Sequence, residues 1–216
     1  MSIERIKQII DAYTKEGKTL FTTSSFQTHS IVLLHILHKI VPDIPVYFLD
    51  TGYHFRETLK FRDEITERFS LNTINLSSGI PQSLLFNEYG KPYHQSEPDL
   101  CCKINKVNPL VPVLEFFDIW VNGVRADQTF HRKSLSEVQD SGQGYMRYHP
   151  VLDWDSQMIE AYRKEFDLPE HPLDAKGYRS IGCKTCTVQY IEGTDERDSR
   201  WAGTNKKECG LNTELI

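Results

Sequence analysis

The sequence predicts an α/β fold, with a parallel sheet covered by helices on both faces. Three observations predict it. Short β-prone runs alternate with longer segments of helical period through the first two thirds of the chain. Residues 46–49 (Val-Tyr-Phe-Leu) form a continuous apolar run, as in a strand buried on both faces. The 216 residues, 39% hydrophobic and 25% charged, suffice for one domain with a core and no staples.

The elements follow in order. Residues 3–16 place Ile3, Ile6, Ile9, Ile10 and Tyr13 on one helical face, with Ser2 as N-cap and Gly17 as stop. Residues 19–23 are β-prone and lead into the polar turn Ser24-Ser25; residues 30–37 then read as an apolar helix. The strand at 46–49 ends at Asp50-Thr51-Gly52. A helix at 55–68 and a strand at 72–76 come next. Residues 103–117 read as largely helical despite Pro109 and Pro112, and 119–123 as a strand running into a turn. Beyond about residue 150 the pattern changes: one helix at 155–166, then a loop-rich segment, 170–216, punctuated by Pro and Gly. That segment is expected to be held by something other than a core. In parallel sheets ligands bind beyond the carboxyl ends of the strands, which singles out residues 22–27, 50–54 and 122–128.

Composition narrows the function classes. A net charge of −5 argues against a general nucleic-acid binder but allows a local basic pocket for a small anion. No apolar run approaches the roughly 20 residues of a membrane span. The N-terminal segment carries acidic residues and does not read as a secretory signal, so a cytoplasmic location is expected. There structural disulfides are rare, and five cysteines cannot all pair.

Cys183 and Cys186 form a C-x-x-C pair, whose turn lets two thiolates converge on one metal centre, zinc or iron–sulfur. Together with the adjacent Cys101 and Cys102 they can close one four-thiolate site. A redox dithiol, buried small hydrophobes and a structural zinc are the competing readings. Cys209 lies beside Lys206 and Lys207, which favour its thiolate; an incidental tail cysteine is the alternative.

At this point the residues resemble a known family. Arg197-Asp198-Ser199-Arg200-Trp201-Ala202-Gly203, followed by Lys207-Glu208-Cys209-Gly210-Leu211, resembles the C-terminus of assimilatory sulfonucleotide reductases. Cys101-Cys102-Lys103-Ile104-Asn105-Lys106-Val107 and Gly177-Tyr178-Arg179-Ser180-Ile181-Gly182-Cys183-Lys184-Thr185-Cys186 resemble the branch with a [4Fe-4S] cluster, which usually takes adenosine 5′-phosphosulfate (APS). Residues 49–55 and 120–125 also fit, so the resemblance runs from about residue 20 to residue 211.

The resemblance implies a Rossmann-like sheet of the adenine-nucleotide α-hydrolase (PP-loop) type. Residues 1–169 would bind nucleotide; 170–216 would be a cluster-pinned segment carrying the catalytic tail. It implies Cys209 as nucleophile and Cys101, Cys102, Cys183 and Cys186 as cluster ligands. Substrate contacts fall to Ser24, Ser25, Phe26, Leu49, Lys106, Gly123, Arg125, Arg132, Arg197 and Arg200. Each cation taken alone reads equally as a solvated surface charge. Lys106, four residues beyond Cys102, would lie on the same helical face, between cluster and sulfate. His54 is placed to touch substrate, whereas His29, His35, His131 and His149 read as structural or surface residues. Thioredoxin or a similar thiol reductant is the implied partner, with no nucleic acid and no membrane. The chain departs from the pattern at Thr28-His29-Ser30, where an acidic residue is common, and at Asn212, where a His is common. The rival functions are a reductase of the 3′-phosphorylated substrate (PAPS) or of both nucleotides, an ATP-using PP-loop thiolation enzyme, and a zinc-held adaptor.

Overall fold

The computed structural model describes residues 2–204, 206–213 and 215. Helix α1 (Ile3–Lys15) starts where the Ser2 hydroxyl accepts from Arg5 N, a cap contributing about 1 kcal/mol. It buries Ile6 and Ile10 completely, each worth roughly 1.5–3 kcal/mol. Strand β1 (Leu20–Thr23) is followed by α2 (Thr28–Ile40), whose residues 31–37 are all buried. That helix is apolar almost all round because α1 and α8 (Ser156–Glu165) pack against it over the sheet. Strand β2 (Pro45–Leu49), α3 (Arg56–Arg68) and β3 (Asn72–Leu76) complete one half.

Next come α4 (Tyr93–Ser96) and α5 (Pro98–Cys102), a π-turn (Lys103–Val107) and α6 (Asn108–Leu114). Helices α5 and α6 with the π-turn form one unbroken run. Pro109 falls in its first turn after the π segment, and only Pro112 sits inside it. Strand β4 (Ile119–Val121), the one-turn helix α7 (Phe130–Lys133), β5 (Val138–Asp140) and β6 (Met146–Tyr148) lead to α8.

The strand order is β3-β2-β1-β4-β6-β5. All pairs are parallel except β5–β6, which makes an antiparallel edge. The strands at 138–140 and 146–148 were not expected from the sequence. Strand side chains alternate between two cores. Leu20, Val46 and Val121 face the α1/α2/α3/α8 layer, while Phe21 and Trp120 face Val107 and Leu110 on the other side. The sheet is thus covered on both faces.

The segment from residue 170 onward is built of single 3-10 turns, as its Pro and Gly content predicts. Apolar anchors help to hold it, which corrects the expectation that no core would. Leu173 and Ile181 pack with Phe55, and Leu211 and Leu215 join the core beneath Phe21 and Trp120. None of the described helices is long and apolar enough to cross a membrane.

Candidate active site

The chain runs to one side of β1 through β2 and β3, and to the other through β4 and β6. At such a reversal the loops after adjacent strands splay apart and leave a crevice. A cavity of about 360 Å³ lies there, in the range of small-molecule sites. Thr23, Ser24, Ser25 and Gln27 reach it from β1, Leu49 and His54 from β2, and residues 122–125 with Asp127 and Gln128 from β4. Lys106, Arg132, Arg179, Arg197, Arg200 and Cys209 complete the wall.

The β1 exit is organised by side-chain hydroxyls. Ser24 Oγ accepts from Phe26 N at 3.1 Å, and Ser25 and Ser30 hydroxyls pair at 3.2 Å. Gln27 Nε2 donates to Ser25 Oγ, and its Oε1 accepts from Ile181 N at 2.7 Å, tying the loop to the cysteine segment. Phe26 is the exception among the expected contact residues. With φ 53 its backbone turns the side chain inward, where it is fully buried against Phe48 and does not line the cavity. Gly123 does line it, and a Cβ there would meet Leu33 at ordinary contact distance.

The cations are unequally free. Arg125 donates to both Asp127 carboxylate oxygens at 2.9 and 3.0 Å, and its Nη1 donates to His29 Nδ1 at 2.9 Å. Burial, then the Arg125 charge, lowers His29 to about 4, so the ring is a neutral acceptor. Arg132 Nε and Nη2 donate to Glu208 at 2.8 and 2.7 Å, and its Nη1 bonds Gln128. Arg197 Nη2 donates to the same carboxylate at 2.9 Å, leaving its buried Nε–H without a partner among the described residues. Arg200 stacks over Trp201 at 4.5 Å.

Cys209 is partly exposed in the cavity wall. Burial alone would raise its pKa, but Lys106, the Leu211 backbone N–H and Arg200 together hold it below the ordinary thiol value. At Asn212 the structure accounts for the departure from the family pattern. Its side-chain oxygen accepts from Arg147 at 2.9 Å, its amide nitrogen lies 3.3 Å from Glu208, and its carbonyl accepts from His131 at 3.0 Å. It is a structural fastener of the tail. At the other departure the Thr28 hydroxyl donates to Asp174, which brings a carboxylate in from the C-terminal segment.

A second, small cavity adjoins the first. Cys101, Cys102, Cys183 and Cys186 all line it, with Thr51, Tyr53 and Asn105. The C-x-x-C turn is pinned to the β2 exit, where Lys184 N donates to Tyr53 O at 2.7 Å and Cys183 bridges His54. Burial and then neighbouring thiols push Cys101 up to about 12. Burial pushes Cys102 up to about 11 against the pull of Lys106, and it raises Cys186 too. Such a desolvated group of sulfurs, each disfavouring ionisation of the next, suits a cationic metal centre that would take them as thiolates. Among the described residues no three His, Cys, Asp or Glu side chains converge on a single-ion site. Lys106, Arg200 and Trp201 line both cavities and form the partition between them.

Most expected site residues therefore meet at one place: Ser24, Ser25, Leu49, Lys106, Gly123, Arg125, Arg132, Arg197, Arg200 and Cys209 around one cavity, and the other four cysteines around its neighbour. His29, read from the sequence as structural or surface, lines the cavity and accepts from Arg125. Gln27, Asn122, Asp127, Arg179 and Glu208 were given no role from the sequence. Asn122, Arg179 and Glu208 stand inside the quoted motifs, but nothing in the sequence said what each would touch.

Residues 19–189 match the family model described as the phosphoadenosine phosphosulfate reductase domain. A phosphoadenosine 5′-phosphosulfate reductase of Gloeobacter violaceus is 38% identical over 90% of this chain and 83% of its own. An adenosine 5′-phosphosulfate reductase of Chelativorans sp. is 35% identical over 95% and 83%, and one of Streptomyces coelicolor 36% over 90% and 82%. Among solved structures, a phosphoadenylyl-sulfate reductase from Candida auris superposes with a TM-score of 0.71 at 21% identity, covering 87% of this chain and 91% of that one. The FMN adenylyltransferase of Candida glabrata superposes at 0.62 with 17% identity, covering 94% and 74%. These two likenesses concern the fold.

Proposed function

The chain belongs to the phosphoadenosine phosphosulfate reductase domain family, and from that premise we propose that it reduces APS to sulfite and AMP through an S-sulfocysteine on Cys209. The observation that carries this reading is the place of Cys209. Its activated thiol shares one cavity with Lys106, Arg200 and the exits of β1 and β4. The nucleotide would lie across those strand ends, with Ser24 and Ser25 on its anionic groups.

The Cys209 thiolate attacks the sulfur of the phosphosulfate. An S–S bond forms as the S–O bond to the phosphate breaks, and AMP leaves with that electron pair. Lys106, Arg197 and Arg200 hold the phosphate and sulfate oxygens and offset the charge passing to the leaving group, while Arg125, gripped by Asp127 and His29, shapes the wall behind them. A thiolate of a dithiol reductant, thioredoxin or its like, then attacks Cys209 Sγ, and sulfite leaves with the S–S bonding pair. The reductant's second thiol resolves the mixed disulfide, and the tail must open for this exchange. The two electrons come from the dithiol.

Cys101, Cys102, Cys183 and Cys186 would hold a [4Fe-4S] cluster, which supplies a fixed local charge behind Lys106. Thiols that surround a cavity without converging on one point favour a multi-iron cluster over a single zinc. That set also favours APS over PAPS, by likeness to the cluster-bearing branch. Residues 1–169 are then the nucleotide-binding part and 170–216 the cluster-pinned tail, in a cytoplasmic enzyme of sulfate assimilation.

The test is the intact mass of anaerobically prepared, iron-containing protein after incubation with APS or PAPS and no reductant, followed by peptide mapping. A sulfonate on Cys209 from APS alone is the expected result. Adducts from both nucleotides make the enzyme dual. No adduct from either overturns the reading.

A further inference from the structure

Glu208 takes no part in the chemistry just described, yet its carboxylate, 8% exposed, is heavily bonded. Oε2 accepts from Arg132 Nε at 2.8 Å, with the Thr129 hydroxyl at 3.5 Å. Oε1 accepts from Arg132 Nη2 at 2.7 Å, Arg197 Nη2 at 2.9 Å and Cys209 N at 2.9 Å, with Asn212 Nδ2 at 3.3 Å. Arg132 comes from α7 and Arg197 from the 3-10 turn 196–199, so this one side chain ties two other segments to the residue before the nucleophile.

We propose that Glu208 is a positioning residue: a carboxylate latch, gripped by Arg132 and Arg197, that keeps the tail closed with Cys209 in the anion cavity. The proposal rests on Cys209 being the nucleophile. That chemistry makes two opposed demands, a closed tail for attack on sulfur and an open one for the reductant. A buried ion triad suits the alternation. Its members are satisfied together when closed and hydrated when open, while a half-open tail would strand a desolvated charge. All three guanidinium nitrogens of Arg132 are committed to Glu208 and Gln128, so Arg132 acts on substrate through the tail.

The test is alkylation of the anaerobic, iron-containing protein by iodoacetamide without nucleotide, followed by peptide mapping. In E208Q and R132Q, Cys209 should label at least about tenfold faster than in wild type, and in E208D at an intermediate rate. In a single turnover E208Q should form the sulfonate adduct about tenfold more slowly, while dithiothreitol releases sulfite from a preformed adduct at least as fast as in wild type. Unchanged labelling of Cys209 in folded E208Q overturns the latch. Labelling of Cys101, Cys102, Cys183 and Cys186 along with Cys209 would mean that the variant has unfolded. The milder E208D then decides: faster labelling confined to Cys209 supports the latch, and labelling at the wild-type rate overturns it. Faster labelling in E208Q beside a wild type that forms no sulfonate upholds the latch and removes the nucleophile reading instead.

Discussion

Lys106 shows how one side chain can be legible in a sequence and still owe its effect to the fold. Its spacing from Cys102 places the two on one face, and the structure adds Cys183 and Cys209 as further charge partners. Cys209 is held below the ordinary thiol range by Lys106, the Leu211 N–H and Arg200, against the opposing effect of burial. Removing the thiol should leave these cations in place. Cys209→Ser is therefore expected to bind AMP within about twofold of wild type and to produce no sulfite. Measurable turnover in that variant would refute the nucleophile assignment. The cysteines could be singled out by their number and spacing, and the arginines by their place in the motifs that carry the family resemblance. Glu208 could not, since a carboxylate beside a cysteine has no meaning until Arg132, 76 residues away in sequence, closes on it.

At the scale of elements, the α1-to-β3 region was legible nearly residue by residue because its apolar spacing follows burial directly. The β5–β6 hairpin was not. Its centre, Arg147, is fully buried, and a charge at that place reads as a loop. Its guanidinium lies 4.7 Å from the Trp120 ring and donates through Nη2 to Asn212, while Nε and Nη1 are buried without a hydrogen-bond partner among the described residues. The π-turn after Cys102 was equally hidden, since it leaves the sequence helical in character. The segment 177–186 offers a direct test of Arg200. A Cβ at Gly182 would overlap the Arg200 guanidinium, the far end of a flexible side chain. Gly182→Ala should keep the fold and displace Arg200, raising the KM for the nucleotide about tenfold with little change in the thermal midpoint. An unchanged KM would mean that Arg200 does not contact substrate.

Over the whole molecule, burial keeps several histidines neutral. His29, His35, His54 and His171 are lowered to about 4 and His149 to about 3, in each case with burial as the leading cause. An unfolded histidine titrates near 6.5, so below that pH the unfolded chain takes up protons that the folded one refuses. Glu208 adds a further loss at lower pH: burial would raise it, but Arg132 and Arg197 hold it at about 2, so its contribution is present above the usual carboxylate pKa and lost as the pH falls from there toward about 2. Stability should therefore fall steadily on acidification from about pH 6.5, with an uptake of more than one proton on unfolding. Urea midpoints measured from about pH 7 down to about pH 5 check this, and a flat profile would contradict it. The partition of Lys106, Arg200 and Trp201 has a consequence of another kind. Where that wall moves with either occupant, the two are thermodynamically linked, and by reciprocity each changes the other's affinity by the same factor. Under the proposed reading, whatever factor an occupant of the four cysteines applies to nucleotide binding, a bound nucleotide applies to the hold on that occupant.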